Sequence, residues 1–207
     1  MLRWVLGIGM LLGSIPLWAQ KTFEGRIHYS VEYLSFPEGM EGAELSLPQQ
    51  MTLVVKGVNY RMQQASALGG ELVWIRPAAV DSMYQLFDFM DQKVFLAMEM
   101  KPSAARYRIV PKEGSAMIAG IACTRLLMQS ASGEHREAWV WEKYMNPLTN
   151  DFPSLKFLPL QYELVKNGIR MRLTAKRIVE EPVDETYFIL PSNAVRIDEG
   201  ILQRIMN

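Results

Sequence analysis

Two-residue alternation dominates the hydropathy pattern from Phe23 onward. In FEGRIHYSVEY, Phe23, Gly25, Ile27, Tyr29, Val31 and Tyr33 fall on one face and Glu24, Arg26, His28, Ser30 and Glu32 on the other, the signature of a half-buried strand. MTLVV and YRMQQ follow, joined by KGVN, whose Gly57 suits the positive φ of a tight hairpin. ELVWIR adds a short apolar strand, MYQLFDF and KVFLAMEM flank a turn at Met90, Asp91 and Gln92, and ARYRIV closes the first half. In the second half ACTRLLMQ and REAWVWEKY are joined by SASGEH, and FLPLQYELV and IRMRLTAKRIV by KNG. Asn167-Gly168 is the strongest hairpin signal in the chain, because both residues tolerate the left-handed angles of a type I′ turn. About ten strands, nearly all antiparallel, cannot lie flat as one sheet. The pattern therefore predicts a mainly β fold, a half-open and strongly curled antiparallel β-barrel with few short helices.

Two linkers rich in Pro, Gly and polar residues, Phe36 to Gln50 and Met145 to Leu155, have room for short helices or lids. At the C-terminal end, Ile201, Leu202 and Ile205 have helical spacing behind Asp198 as an N-cap. The N-terminal segment is of another kind. MLRWVLGIGMLLGSIPLWAQ carries one basic residue, Arg3, then an apolar stretch from Trp4 to Trp18 and a small residue, Ala19, the layout of a cleavable secretory signal peptide. The expected product is a periplasmic domain spanning residues 20–207, without a transmembrane span. No cysteine follows the expected cut, so a lipoprotein anchor is not expected.

Charge changes the picture mainly by exclusion. The 22 basic and 22 acidic residues balance, whereas a nucleic-acid binder needs a clustered basic face. The chain has one cysteine, Cys123, so no intramolecular disulfide supports the fold. Strict alternation places Cys123 on the face of Ile121, Arg125 and Leu127, and predicts a small buried side chain rather than a reactive thiolate. Gly120, three residues earlier, reads as a bend that lets a central strand curl.

Catalytic signatures are missing: there is no HExxH, CxxC, GxSxG or glycine-rich phosphate loop. Glu134, His135 and Glu137 alternate across a strand and do not converge on a metal; His28 sits among polar neighbours. Neither a cofactor nor a metal is expected. What stands out is soft and aromatic side chains. The chain has 14 methionines, a residue that adapts its shape at apolar binding surfaces. The candidates for lining an apolar concavity are Tyr29, Tyr33, Leu53, Met62, Trp74, Phe87, Trp139, Trp141 and Met171.

A family resemblance supports the same architecture. Ile118, Ala119, Gly120 and Cys123, then Trp139 and Trp141, then Pro159 and Leu160, then Phe188, Leu190 and Pro191 follow an order of motifs that resembles uncharacterised exported bacterial domains of the LolA/LolB-like superfamily, related to GLPGLI-type proteins. The resemblance implies a half-open antiparallel barrel with an apolar concavity. The carriers have a helix after the first strand, but here that segment reads FPEGMEGAELSLPQQ, with prolines near both ends, and a long helix is not expected. The functional expectation is a noncatalytic periplasmic protein that binds a lipid or other apolar ligand on the concave face. The alternative is an envelope protein-interaction or scaffold module whose barrel is filled by its own side chains.

Overall fold

The computed structural model describes residues 21–40, 42, 46–65, 70–89, 91–100, 107–131, 133–149, 151–198 and 200. The expected signal peptide and the apolar residues of the expected C-terminal helix lie outside these. Twelve strands form one sheet: β1 (Glu24–Ser35), β2 (Gln50–Lys56), β3 (Asn59–Ala65), β4 (Glu71–Arg76), β5 (Ser82–Phe89), β6 (Gln92–Glu99), β7 (Arg108–Ile118), β8 (Ile121–Gln129), β9 (His135–Met145), β10 (Phe157–Lys166), β11 (Ile169–Glu180) and β12 (Val195–Arg196). The order is β12-β6-β5-β4-β3-β2-β1-β11-β10-β9-β8-β7. Every neighbouring pair is antiparallel except β12 with β6. One turn of 3-10 helix, Glu185–Phe188, lies between β11 and β12.

The sheet is open because its end strands, β7 and β12, do not pair with each other, and it is strongly curled. β4 and β10 are five strand spacings apart in the order, about 24 Å in a flat sheet at about 4.8 Å per spacing. Yet Lys166 at the end of β10 carries its Nζ to 4.5 Å from the Trp74 ring centroid on β4. Likewise the Tyr29 hydroxyl on β1 crosses over β11 to donate to the Pro159 carbonyl on β10, at 2.8 Å. This half-open curled sheet is the architecture expected from the alternation.

The sheet departs in two places from the segments read as strands, and only the second adds to their number. β7 continues beyond ARYRIV through Pro111 and Gly114 to Ile118, accommodating Lys112 to Gly114 as a bulge between Pro111 and Ser115. Proline and a bulge are tolerated there because β7 is an edge strand. β12 is only two residues long and leaves no periodicity to read. Turn chemistry follows expectation at Gly57 (φ 66°), Asp91 (φ 60°) and Asn167-Gly168 (φ 51° and 79°). Gly120 differs from its predicted role: Ala119 and Gly120 (φ 48° and 79°) form the two-residue turn between β7 and β8, so Gly120 closes a hairpin instead of bending a strand.

The concave core collects Ile27 and Tyr29 from β1, Leu53 and Val55 from β2, Tyr60 from β3, and Leu158, Leu160, Tyr162 and Leu173 from β10 and β11. A second apolar layer lies on the convex side. Val54, Val73, Ile75 and Leu86 are covered there by Val183 and Phe188 from the segment after β11. That explains why TLVV and LVWI are continuous apolar runs: strands buried on both faces do not alternate. Polar contacts fasten the covering segment. Lys56 donates to the Val183 carbonyl at 3.0 Å and pairs with Glu185 at 2.8 Å, Arg26 pairs with Glu181 at 2.9 Å, and the Val183 amide donates to Glu24 Oε1 at 2.8 Å.

At Gly25 the backbone of β11 leaves no room for a side chain on β1. The φ of Gly25 is 145°, and a Cβ built there would stand 2.0 Å from the Val179 carbonyl oxygen, a distance only backbone movement can relieve. Gly25→Ala is therefore expected to lower unfolding free energy by about 2 kcal/mol or more, measured as a drop in the urea midpoint.

Candidate functional site

The segment between β9 and β10 divides the concave face into a filled half and an open half. Asn146, 5% exposed, organises it: its Nδ2 donates to the carbonyls of Phe152 and Leu155 at 3.3 and 3.0 Å, and its Oδ1 accepts from the Leu148 amide at 2.9 Å. These bonds satisfy a buried amide and turn Leu148, Phe152 and Leu155 into the core, where each is buried. Phe152 meets Tyr162 edge-on at 5.1 Å, and Tyr162 meets Tyr29 at 5.7 Å. Burial raises the phenol pKa of Tyr29 and Tyr162, so both stay protonated, and Tyr29 donates to the Pro159 carbonyl.

Beyond this plug the side chains on the same face are less covered. Val31 on β1, Met62 on β3, Leu164 on β10 and Met171 on β11 are half-buried and pack on the margin of the core. Tyr33 pairs with Met171, which pairs with Leu164; Met62 pairs with Trp74. Two charged groups flank this apolar row. Lys166 has the strand parity of Tyr162 and Leu164 and extends over Trp74. Asp151 belongs to the plug and acts electrostatically on Tyr60, Tyr162 and Lys166. Both Lys166 and Asp151 are solvent-exposed, yet desolvation lowers the Lys166 pKa, with Asp151 opposing, and raises that of Asp151, with Lys166 opposing. Groups that water reaches but protein walls surround behave in this way.

Four of the nine residues singled out by sequence, Tyr33, Met62, Trp74 and Met171, sit around this open half. Tyr33 donates its hydroxyl to the Pro48 carbonyl at 2.7 Å and stacks on Phe36. Tyr29 and Leu53 lie in the filled core. Phe87 packs with Val94 and Ile197 near the β6 edge. Trp141 stands apart with Phe23 and Tyr144, at 6.4 and 4.8 Å between ring centroids, with Lys143 Nζ 5.0 Å from its own ring. Trp139 pairs with Arg125 and Gln161 and lies on the opposite face of β9 from the buried Ala138 and Val140, with the Arg125 guanidinium 5.7 Å from its ring. Sequence reasoning missed Lys166 and Asp151. The parity of Tyr162 and Leu164 was a signal for Lys166; Asp151 lay in a linker without periodicity.

Cys123 is buried, and desolvation pushes its thiol up to about 11. Its companions differ from those of strict alternation. The buried residues of β8 pass from Cys123 to Leu126 and Met128, with Thr124 and Arg125 both half-buried between them. The step lies opposite the β7 bulge, and it leaves Arg125 free to pair with Glu137. On the convex face Glu163, 5% exposed, accepts from Arg170 at 2.6 Å and from Arg172 at 2.7 Å, and Arg172 also reaches Glu32 at 3.2 Å. Burial raises the Glu163 pKa, but the two guanidinium hydrogen bonds outweigh it and hold the carboxyl below its ordinary value.

Among the described residues no group of three or more His, Cys, Asp and Glu side chains is placed to hold a metal ion, and no helix is long and apolar enough to cross a membrane. A hollow of about 420 Å³ lined by Pro48, Gln50, Thr52, Gln63 and Glu71 among others, and one of about 470 Å³ beside Tyr107 and Gln129, are open to solvent and include none of the nine residues.

No protein-family model matches the chain, and no curated protein matches it. Solved structures that are similar to it include MucB, at 13% identity and a TM-score of 0.48, with 84% of this chain and 60% of that chain covered. An uncharacterized conserved protein from Thermus thermophilus matches at 8% identity and a TM-score of 0.49, with 84% and 91% covered. LprF from Mycobacterium bovis matches at 9% identity and a TM-score of 0.36, with 81% and 90% covered. The chain spans less than two thirds of the length of MucB.

Cys123 is expected to resist thiol reagents in native protein and to react once urea unfolds it; rapid native labelling would contradict its burial. Cys123→Ser is expected to cost about 1–3 kcal/mol of stability by placing a hydroxyl in apolar surroundings. Glu163 has a folded pKa below its unfolded value, so its stabilisation is present above the unfolded pKa and is lost as pH falls through the folded one. Urea midpoints of wild type and Glu163→Gln are accordingly expected to differ at pH 7 and to converge as pH falls below about 4.

Proposed function

We propose that the protein is a noncatalytic binder of the bacterial cell envelope that accommodates one acyl chain, or a ligand of similar shape, on the open half of its concave face. The observation that carries this reading is the half-buried row of Val31, Met62, Leu164 and Met171 beside the fully covered core. Covering such a row with about ten methylenes at about 0.8 kcal/mol each supplies useful affinity without a catalytic group. Methionine suits the task because it repacks at low cost. In this reading Met1 to Ala19 direct export to the periplasm.

A second reading, a protein-interaction module without a ligand, is favoured by the plug, since Leu148, Phe152 and Leu155 already fill half of the concavity. One experiment separates the two. Protein purified from the periplasm is analysed by native mass spectrometry and solvent extraction, then titrated with a fluorescent fatty-acid probe. Acyl binding predicts co-purifying lipid or saturable probe fluorescence that Met171→Glu abolishes while the unfolding midpoint stays within a few degrees. Lipid-free protein that leaves the probe dark sinks the acyl reading.

A further inference from the structure

An acyl chain lying on the concave face must place its head group at one end, and the charges around the open half select which kind. Resting on the acyl-chain reading, we propose that Lys166 receives the carboxylate of a long-chain fatty acid whose tail runs along Met62, Leu164 and Met171. Lys166 ends β10 two residues after Leu164, on the same face. Its Nζ is 4.5 Å from the Trp74 ring centroid, and Trp74 pairs with Met62. The cation thus stands at one end of the apolar row.

Its desolvated position over Trp74 sets it apart from the ion-paired lysines. Lys56, Lys93 and Lys143 each have a carboxylate at 2.8 to 3.0 Å, whereas among the described residues none lies within ion-pair distance of Lys166 Nζ. A partly desolvated ammonium with an aromatic face beneath it and no carboxylate in direct contact is placed to receive an anion. Asp151 narrows the choice, because it acts on Lys166 electrostatically and would repel a dianion more than a monoanion. A carboxylate therefore fits better than a phosphate monoester.

The test compares oleate, oleyl alcohol and oleylamine as competitors for a bound fluorescent probe, at pH 7, with wild type, Lys166→Gln, Lys166→Arg and Asp151→Asn. Lys166 occupies a hairpin end, and thermal unfolding and circular dichroism confirm that each variant is folded. The expected result is that wild type prefers oleate to the alcohol by about tenfold or more, that Lys166→Gln removes the preference without weakening the alcohol, that Lys166→Arg restores it, and that Asp151→Asn strengthens oleate. Affinity for oleate should also fall as pH rises through the depressed pKa of Lys166, at a lower pH than an ordinary lysine gives, while alcohol affinity stays flat. Equal affinity for oleate and alcohol in wild type, or equal weakening of both by Lys166→Gln, overturns the head-group assignment and leaves the acyl reading standing. Preference for oleylamine overturns it in favour of Asp151 as the receptor. Failure of all three competitors to bind overturns the acyl reading together with the head-group assignment.

Discussion

The pairing of β1 with β11 is the constraint on which the rest of the molecule depends. β1 holds β2 on one side and β11 on the other, and so joins the strands of the first half of the chain, β2 to β6, to those of the second, β7 to β11. Without it there are two smaller sheets, each with an apolar face too broad for its own strands to cover. With it the two faces turn toward each other, and Tyr29 can reach across β11 to Pro159. Gly25 belongs to this constraint, since its missing side chain is what allows β1 to approach the Val179 carbonyl.

Once the sheet curls, its concave face has to be filled, lined or both. The chain does both. Leu148, Phe152 and Leu155 come in from one end under the direction of a single buried amide, Asn146, and Tyr162 and Tyr29 join Phe152 in an edge-to-face aromatic cluster. At the other end the lining is aliphatic and thioether, and Lys166 crosses the gap to Trp74. The convex face is handled differently in the two halves. Val183 and Phe188 cover β2 to β5, whereas β10 and β11 keep a charged surface around Glu163.

The sequence carried the strands better than the interruptions. Alternation in FEGRIHYSVEY and the Asn167-Gly168 turn have direct structural counterparts, because each depends only on neighbouring residues. The break in burial parity at Thr124 and Arg125 was hidden because it lies opposite an insertion in another strand, around Glu113. The role of Gly120 was misjudged because Ala119 shares its positive φ, an uncommon conformation for alanine. The site was half legible. Met62, Trp74 and Met171 could be found as soft residues on strands, but the plug lay in a proline-rich linker whose Leu148 and Phe152 have no period. Lys166 has no mark of its own in the KNG hairpin, and only the curl brings it to β4. The apolar runs TLVV and LVWI read only as strands, and their burial on both faces became visible with the cover of Val183 and Phe188.

The β1–β11 register also has a consequence in time. Ile27 pairs with Ile178 and Gly25 with Glu180, so the sheet's central seam closes a loop of about 150 residues, whose closure entropy must be met before that contact contributes anything. Topologies dominated by such distant pairings fold slowly. β2 to β6 can zip as successive hairpins while β1 still lacks its second neighbour, leaving one edge of the strand rich in unsatisfied amides and carbonyls. Until β11 arrives, that edge is the chain's point of greatest vulnerability to mispairing, and the charged side chains of Arg26 and Glu32 are its built-in protection.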